Sequence, residues 1–242
     1  MATVVLAAAA VTGVVVLRDD DGTPEAAAPP SGPVNPGQVK PTIAGWKVVV
    51  NPTYGTAFDV PADWEVLSPD VFSGYADHAD PDKPVIGHTA PAHFKSKWCS
   101  ADANGDGRTE DVRLAATGTK GAEGAKDTDE VAQKTATAWV YGAYTQPDKS
   151  AVTWDKPKRY TTRSGIKGSY VTARSEGARK ITKCDGEGRS IAFGFRNSKG
   201  DFVAWDFHGR TGVPGAVSDE LMMRIMSTVR IAGDPAPTSP PP

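Results

Sequence analysis

Branched and large aliphatic side chains are scarce in this chain: Leu, Ile, Val and Phe together number 43 of 242 residues, about 18%. Such a share marks disorder only when it accompanies a high net charge. Here 27 basic residues nearly cancel 29 acidic ones, so a wholly disordered chain is excluded, and so is a strong electrostatic attraction to nucleic acid. Cysteine is almost absent as well. Cys99 and Cys184 are the two present, too far apart for a CxxC redox pair or a zinc knuckle. The local signatures of hydrolases, phosphate-binding loops and dinucleotide folds are missing too: there is no GxSxG, no HExxH, no GxxxxGK followed by Ser or Thr, and no GxGxxG. Aromatic residues are absent before Trp46 and after Phe207. A core built by rings in place of leucine is therefore expected in the central segment.

The ends have their own composition. Residues 2–17 form an uncharged run with six Val and two Leu, slightly short of the ~20 residues that span a bilayer. We read 1–18 as a transmembrane or signal-anchor segment contacting the cytoplasmic membrane through residues 2–17, with a secreted product after signal cleavage as the alternative. Residues 19–42 hold six prolines and residues 233–242 five, the composition of an extended linker and tail. Residues 43–232 remain as one globular domain, expected on the outer side of the membrane.

Within that domain, GWKVVV (45–50) and GTAFDV (55–60) flank the turn signal NPTY and predict a hairpin entering the sheet, with Pro61 ending the second strand. Further strand patterns are VRLAATG (112–118), GIKGSYVTA (165–173), SIAFGFR (190–196) and FVAWDFH (202–208). In the last pair Ile191, Phe193 and Phe195 share one face, while Val203, Trp205 and Phe207 oppose Phe202, Ala204 and Asp206, so cover on both sides of the sheet is expected. Asp127 and Glu130 have capping-box spacing ahead of a helix that Pro147 stops. A second helix starts at Ser218 and presents Met222, Ile225, Met226 and Val229 on one stripe. Strands with few helices give an α+β class.

Beside a membrane segment, Cys99 and Cys184 are expected to form a structural disulfide. In DANGDGRTEDVR (102–113), Asp102, Asn104 and Asp106 occupy calcium-loop positions 1, 3 and 5, Gly107 the turn and Glu110 a later ligand position, but Arg113 stands where an EF-hand places its bidentate Glu. NG and DG are equally hairpin-turn signals. A bare turn is the favoured reading and calcium the alternative; no other cofactor is expected. YADHADPDKPVIGHTAPAHF (75–94) carries His78, His88 and His93 with Asp77, Asp80 and Asp82, and its three prolines predict an irregular solvated loop without a zinc site. GTKGAEGAK (118–126), KPKR (156–159) and RSEGARKITK (174–183) are read as loops. His208 ends its strand beside Asp206 and Arg210, a placement compatible with general-base work, though a strand-end histidine bonded to a neighbour is the commoner arrangement.

The strand ending Val-Pro and followed by Trp in GTAFDVPADW (55–64) resembles the opening motif of PsbP-like domains, including actinobacterial LpqN-type lipoproteins. The paired strands at 190–208, the helix from Ser218 and the closing STVRI are similar in order to the end of that family. The Ala-rich start, the RDDDG stalk and the WCS and KCDG cysteines also look like an actinobacterial class of membrane-anchored domains. This likeness implies an antiparallel sheet flanked by helices, an α/β/α sandwich, and supplies no catalytic residues; the lipoprotein cysteine is lacking. The expected function is a non-enzymatic binding or accessory module of the cell envelope, its partner an envelope protein, lipid or polymer. The alternative is an extracytoplasmic enzyme using His208 and Asp206 as an acid–base pair.

Overall fold

The computed structural model describes residues 32–102 and 107–236. The expected membrane segment 2–17, the linker up to residue 31, Asn104 and Asp106 of the acidic loop, and residues 237–242 lie outside the described residues. Among the described residues no helix is long and apolar enough to cross a membrane.

Among the described residues the architecture is α+β, mostly antiparallel sheet with two α-helices. The strands are β1 (Lys47–Asn51), β2 (Thr56–Val60), β3 (Glu65–Val66), β4 (Phe72–Asp77), β5 (Asp80–Phe94), β6 (Cys99–Ala101), β7 (Glu110–Val112) and β8 (Ala115–Gly121), followed after the first helix by β9 (Val152–Trp154), β10 (Lys158–Thr161), β11 (Lys167–Ser175), β12 (Gly188–Arg196), β13 (Phe202–Arg210) and β14 (Arg230–Ile231). The main sheet runs β10-β11-β12-β13-β8-β5-β3, with β4 along β5 and β9 along β11. Both flanks of β13 are antiparallel, placing Asp206 opposite Ala192 on β12 and Gly118 on β8. The β1–β2 hairpin forms as its turn signal predicts, but instead of entering the main sheet it builds a three-stranded sheet with β14.

One face of the main sheet carries the aromatic core. Phe193 and Phe195 from β12 and Trp205 and Phe207 from β13 pack with Phe58, Trp64 and the Met222, Ile225, Met226 stripe of α2 (Asp219–Met226). The other face meets α1 (Thr128–Val140), whose Ala132, Ala136 and Val140 lie on Val171, Ala173 and Ala192. The α1 cap forms as its spacing demands: Asp127 accepts the Glu130 amide at 2.9 Å, and Glu130 reaches back to the Lys126 amide at 2.7 Å. Ser218 caps α2 through the Leu221 amide.

The largest departure from the sequence reading is 75–94, expected as a loop and found as the β4–β5 hairpin. Its prolines fall where a strand tolerates a missing N–H. Pro81 and Pro84 sit at the exposed tip, where the register shifts around Ala76, and Pro91 sits in the bulge between Thr89 and Ala92. The three basic or Gly-rich segments read as loops also enter strands: Gly118–Gly121 complete β8, Lys158 and Arg159 start the edge strand β10, and Arg174 and Ser175 end β11.

Ordered contacts extend past both expected domain limits. Buried Asp59 accepts from the Thr42 amide and hydroxyl at 2.6 Å and pairs with Arg230 at 2.9 Å. Further out, Gly32 donates to the Asp234 carboxylate and Asp234 donates back to the Gly32 carbonyl. Ser198, in the turn joining β12 to β13, donates to the same carboxylate at 2.9 Å. The two described ends therefore meet at that turn.

Candidate functional site

Alternation along β13 sends Ala204, Asp206, His208 and Arg210 to the α1 face. Their neighbours on β12 are small, Gly188, Ser190, Ala192 and Gly194, and so are the β8 residues opposite His208 and Asp206, Ala116 and Gly118; Ala204 faces Lys120. Small residues opposite large ones make room for rings from elsewhere. At Gly118 a Cβ would lie 2.5 Å from the His88 ring, so only glycine lets that imidazole reach Asp206. His88 Nδ1–H donates to Asp206 Oδ1 at 2.7 Å, and both side chains are fully shielded from solvent. Trp139 of α1 closes the cluster from above, stacked on His208 with centroids 4.0 Å apart and planes 12° apart. Tyr75 of β4 meets both rings edge-on.

This cluster is polar and under-satisfied. Both His208 nitrogens, His88 Nε2, Asp206 Oδ2, Ser190 Oγ and Trp139 Nε1 are buried without a hydrogen-bond partner among the described residues. Buried polar atoms without partners are uncommon because each loses its hydration uncompensated. Burial, reinforced by the charges of His88, Arg113, His93 and Arg210, holds the His208 imidazole well below the ordinary histidine range. Burial and the nearby Arg113 push His93 down to about 4.

Beside the cluster, and sharing Tyr75 with it, lies a cavity of about 310 Å³, lined in part by Tyr75, Arg113, Tyr144, Arg179, Asp185 and Arg210. Tyr144 gets there because α1 widens into a π-helical turn, Tyr141–Thr145, closed by the Gln146 amide on the Tyr141 carbonyl. Such turns recur at functional sites. The Tyr144 ring then occupies the space a Cβ at Gly188 would need, and burial raises its hydroxyl pKa. Gln146 fastens this turn to the β4–β5 hairpin, donating to the Ala76 and Gly142 carbonyls and accepting from the His78 amide. Arg113 lies over the Tyr75 ring, and Arg210 lies 5.6 Å from both the Trp98 and Tyr144 rings.

Of the residues singled out from the sequence, Cys99 and Cys184 are joined in a disulfide that ties β6 to the loop walling the cavity. Asp102 accepts the Gly107 amide at 2.9 Å, a turn contact, and Glu110 sits in the cavity wall. Among the described residues no group of three His, Cys, Asp or Glu is placed to hold a metal. His78 is exposed at the hairpin tip, away from buried His88. Asp206 and His208 do share a face, but the partner of Asp206 is His88. The sequence names His88 as one of three loop histidines and Arg113 as the residue that breaks the calcium pattern, and gives Trp139, Tyr75, Tyr144 and Arg210 no site role; the alternation of FVAWDFHGR signals Arg210, while the placing of His88, Tyr75 and Tyr144 depends on β4–β5 pairing and the π-turn.

A search of curated proteins finds no match to the chain. Residues 39–234, which include both helices, all three sheets and the cavity, match a family model described as a domain of unknown function, and the chain accordingly belongs to the DUF8017 family.

Proposed function

We propose that this domain is a non-enzymatic binding module of the cell envelope, held outside the cytoplasmic membrane by residues 2–17 and the proline-rich linker, with its ligand site in the cavity beside the disulfide. The observation that carries this reading is the division of chemistry across the site. The acid–base cluster His88, Asp206 and His208 is at most 1% exposed beneath Trp139, whereas the open concavity carries two tyrosines and three arginines alongside His78, Glu110, Asp111 and Asp185, a mixed polar and aromatic lining suited to recognition. An acid–base reading of Asp206 and His208 would need both to reach a substrate, and their burial gives it no support. The disulfide favours an oxidising compartment. The packing of α1 on one face of the main sheet and of α2 with the small sheet on the other supports the PsbP-like α/β/α arrangement.

The test is a thermal-shift titration of the full chain against separated envelope fractions of lipid, glycan and peptide. Binding to the folded form alone raises the melting midpoint in a concentration-dependent way. One fraction is expected to do so, and Tyr144→Ala to abolish the shift. If no fraction moves the midpoint, or if Tyr144→Ala leaves the shift intact, the cavity is not a ligand site.

A further inference from the structure

Resting on the cavity reading above, we infer that the ligand carries a compact anionic group, carboxylate or phosphate, held between the guanidinium groups of Arg113 and Arg210 with its body against Tyr75 and Tyr144.

Two observations converge on this. The first is that both guanidinium groups lack a carboxylate. None of the described ion pairs includes Arg113, Arg179 or Arg210, and the Nε atoms of Arg113 and Arg210 are buried with no acceptor. A cation drawn partly out of water and given only ring faces still has donors to satisfy. The second is the sign of what lies behind them. His93 and His208 lie within electrostatic reach of Arg113 and, with their pKa values depressed, bring no negative charge to it; of the carboxylates behind, Asp206 is committed to His88, and Glu65, beside His93, takes the Ser96 hydroxyl.

The acids in the cavity lining do not cancel this. Asp111, with a side chain 42% exposed, takes the Ser100 hydroxyl and lies 3.6 Å from Lys97. Asp185 accepts the Ile181 and Thr182 amides. Glu110 is exposed. Arg113 and Arg210 are half-buried where Glu110 and Asp111 are exposed, so an anion that enters head first past those acids meets two guanidinium forks. A volume near 310 Å³ fits a small molecule or the end group of a longer one.

The experiment is calorimetric titration of the full chain with inorganic phosphate, with succinate, and with succinamide as the uncharged counterpart of succinate. Saturable binding of at least one anion is expected, weakening as salt rises, with succinamide silent. Whichever anion binds more tightly identifies the head group as phosphate or carboxylate. Arg113→Gln and Arg210→Gln should each weaken that binding by about tenfold or more. Arg113→Lys and Arg210→Lys should recover part of the loss, and melting curves at neutral pH verify that all four variants fold. Equal binding of succinamide, or unchanged anion affinity in the folded Gln variants, overturns the inference. If an envelope fraction still shifts the melting point of those variants as it does the parent chain, the cavity remains a binding site and only its anion preference falls.

Discussion

Asp206 is the residue on which the inner cluster turns, because its carboxylate is the one acceptor that reaches the shielded His88 Nδ1–H. Asp206→Ala leaves that donor buried and bare, and we expect a loss of about 3 kcal/mol in chemical denaturation. Asp206→Asn keeps an acceptor and should lose clearly less; equal losses would mean that the hydrogen bond is not what matters. The neighbouring histidines set a pH dependence. Once unfolded, His93 takes a proton near its ordinary 6.5, whereas in the fold it refuses one until about 4. Between those values the unfolded chain binds more protons, so stability is full above pH 6.5 and falls as the pH drops towards 4. His208, shifted in the same direction, adds to the decline. Melting midpoints measured from pH 7 to pH 4 should fall, and His93→Gln should fall less steeply than the parent chain.

At the level of elements, Gln146 is the clasp between the π-turn and the β4–β5 hairpin. Gln146→Ala should cost about 2 kcal/mol by removing bonds at a buried position, and hydrogen exchange should quicken at Ala76 to His78 while β12 and β13 stay protected. Uniform quickening across the sheet would contradict that local role. The same elements separate what the sequence could disclose from what it could not. Both helices were legible because their signals are local: Asp127 with Glu130, Ser218, and the Met222 to Val229 stripe. The strands β12 and β13 were legible because they alternate. β5 was not, since Pro81, Pro84 and Pro91 read as breakers until bulges and an exposed tip accommodate them, and with β5 unread His88 had no route to Asp206. The π-turn was hidden as well. Nothing in YGAYT announces that an extra residue widens the helix, yet that widening delivers Tyr144 to the cavity.

Across the whole molecule, the Cys99–Cys184 bridge joins positions 85 residues apart and so ties the first half of the domain to the second. Replacing both cysteines by serine should lower stability by about 2–5 kcal/mol, read as a lower denaturant midpoint. Because the bridge also fixes the loop that walls the cavity, probe binding should weaken under conditions where the variant is still folded. Unchanged affinity would detach the cavity from the bridge. The meeting of Gly32 and Asp234 at the β12–β13 turn has a geometrical consequence. Arg210 and Gly188 stand at the far ends of those same nine-residue strands, about 27 Å from the ends that the turn joins. A leash knotted at the Gly32 pole would hold the globule by its heel, with the mouth between the arginines facing away from whatever it is moored to and open to arrivals from beyond.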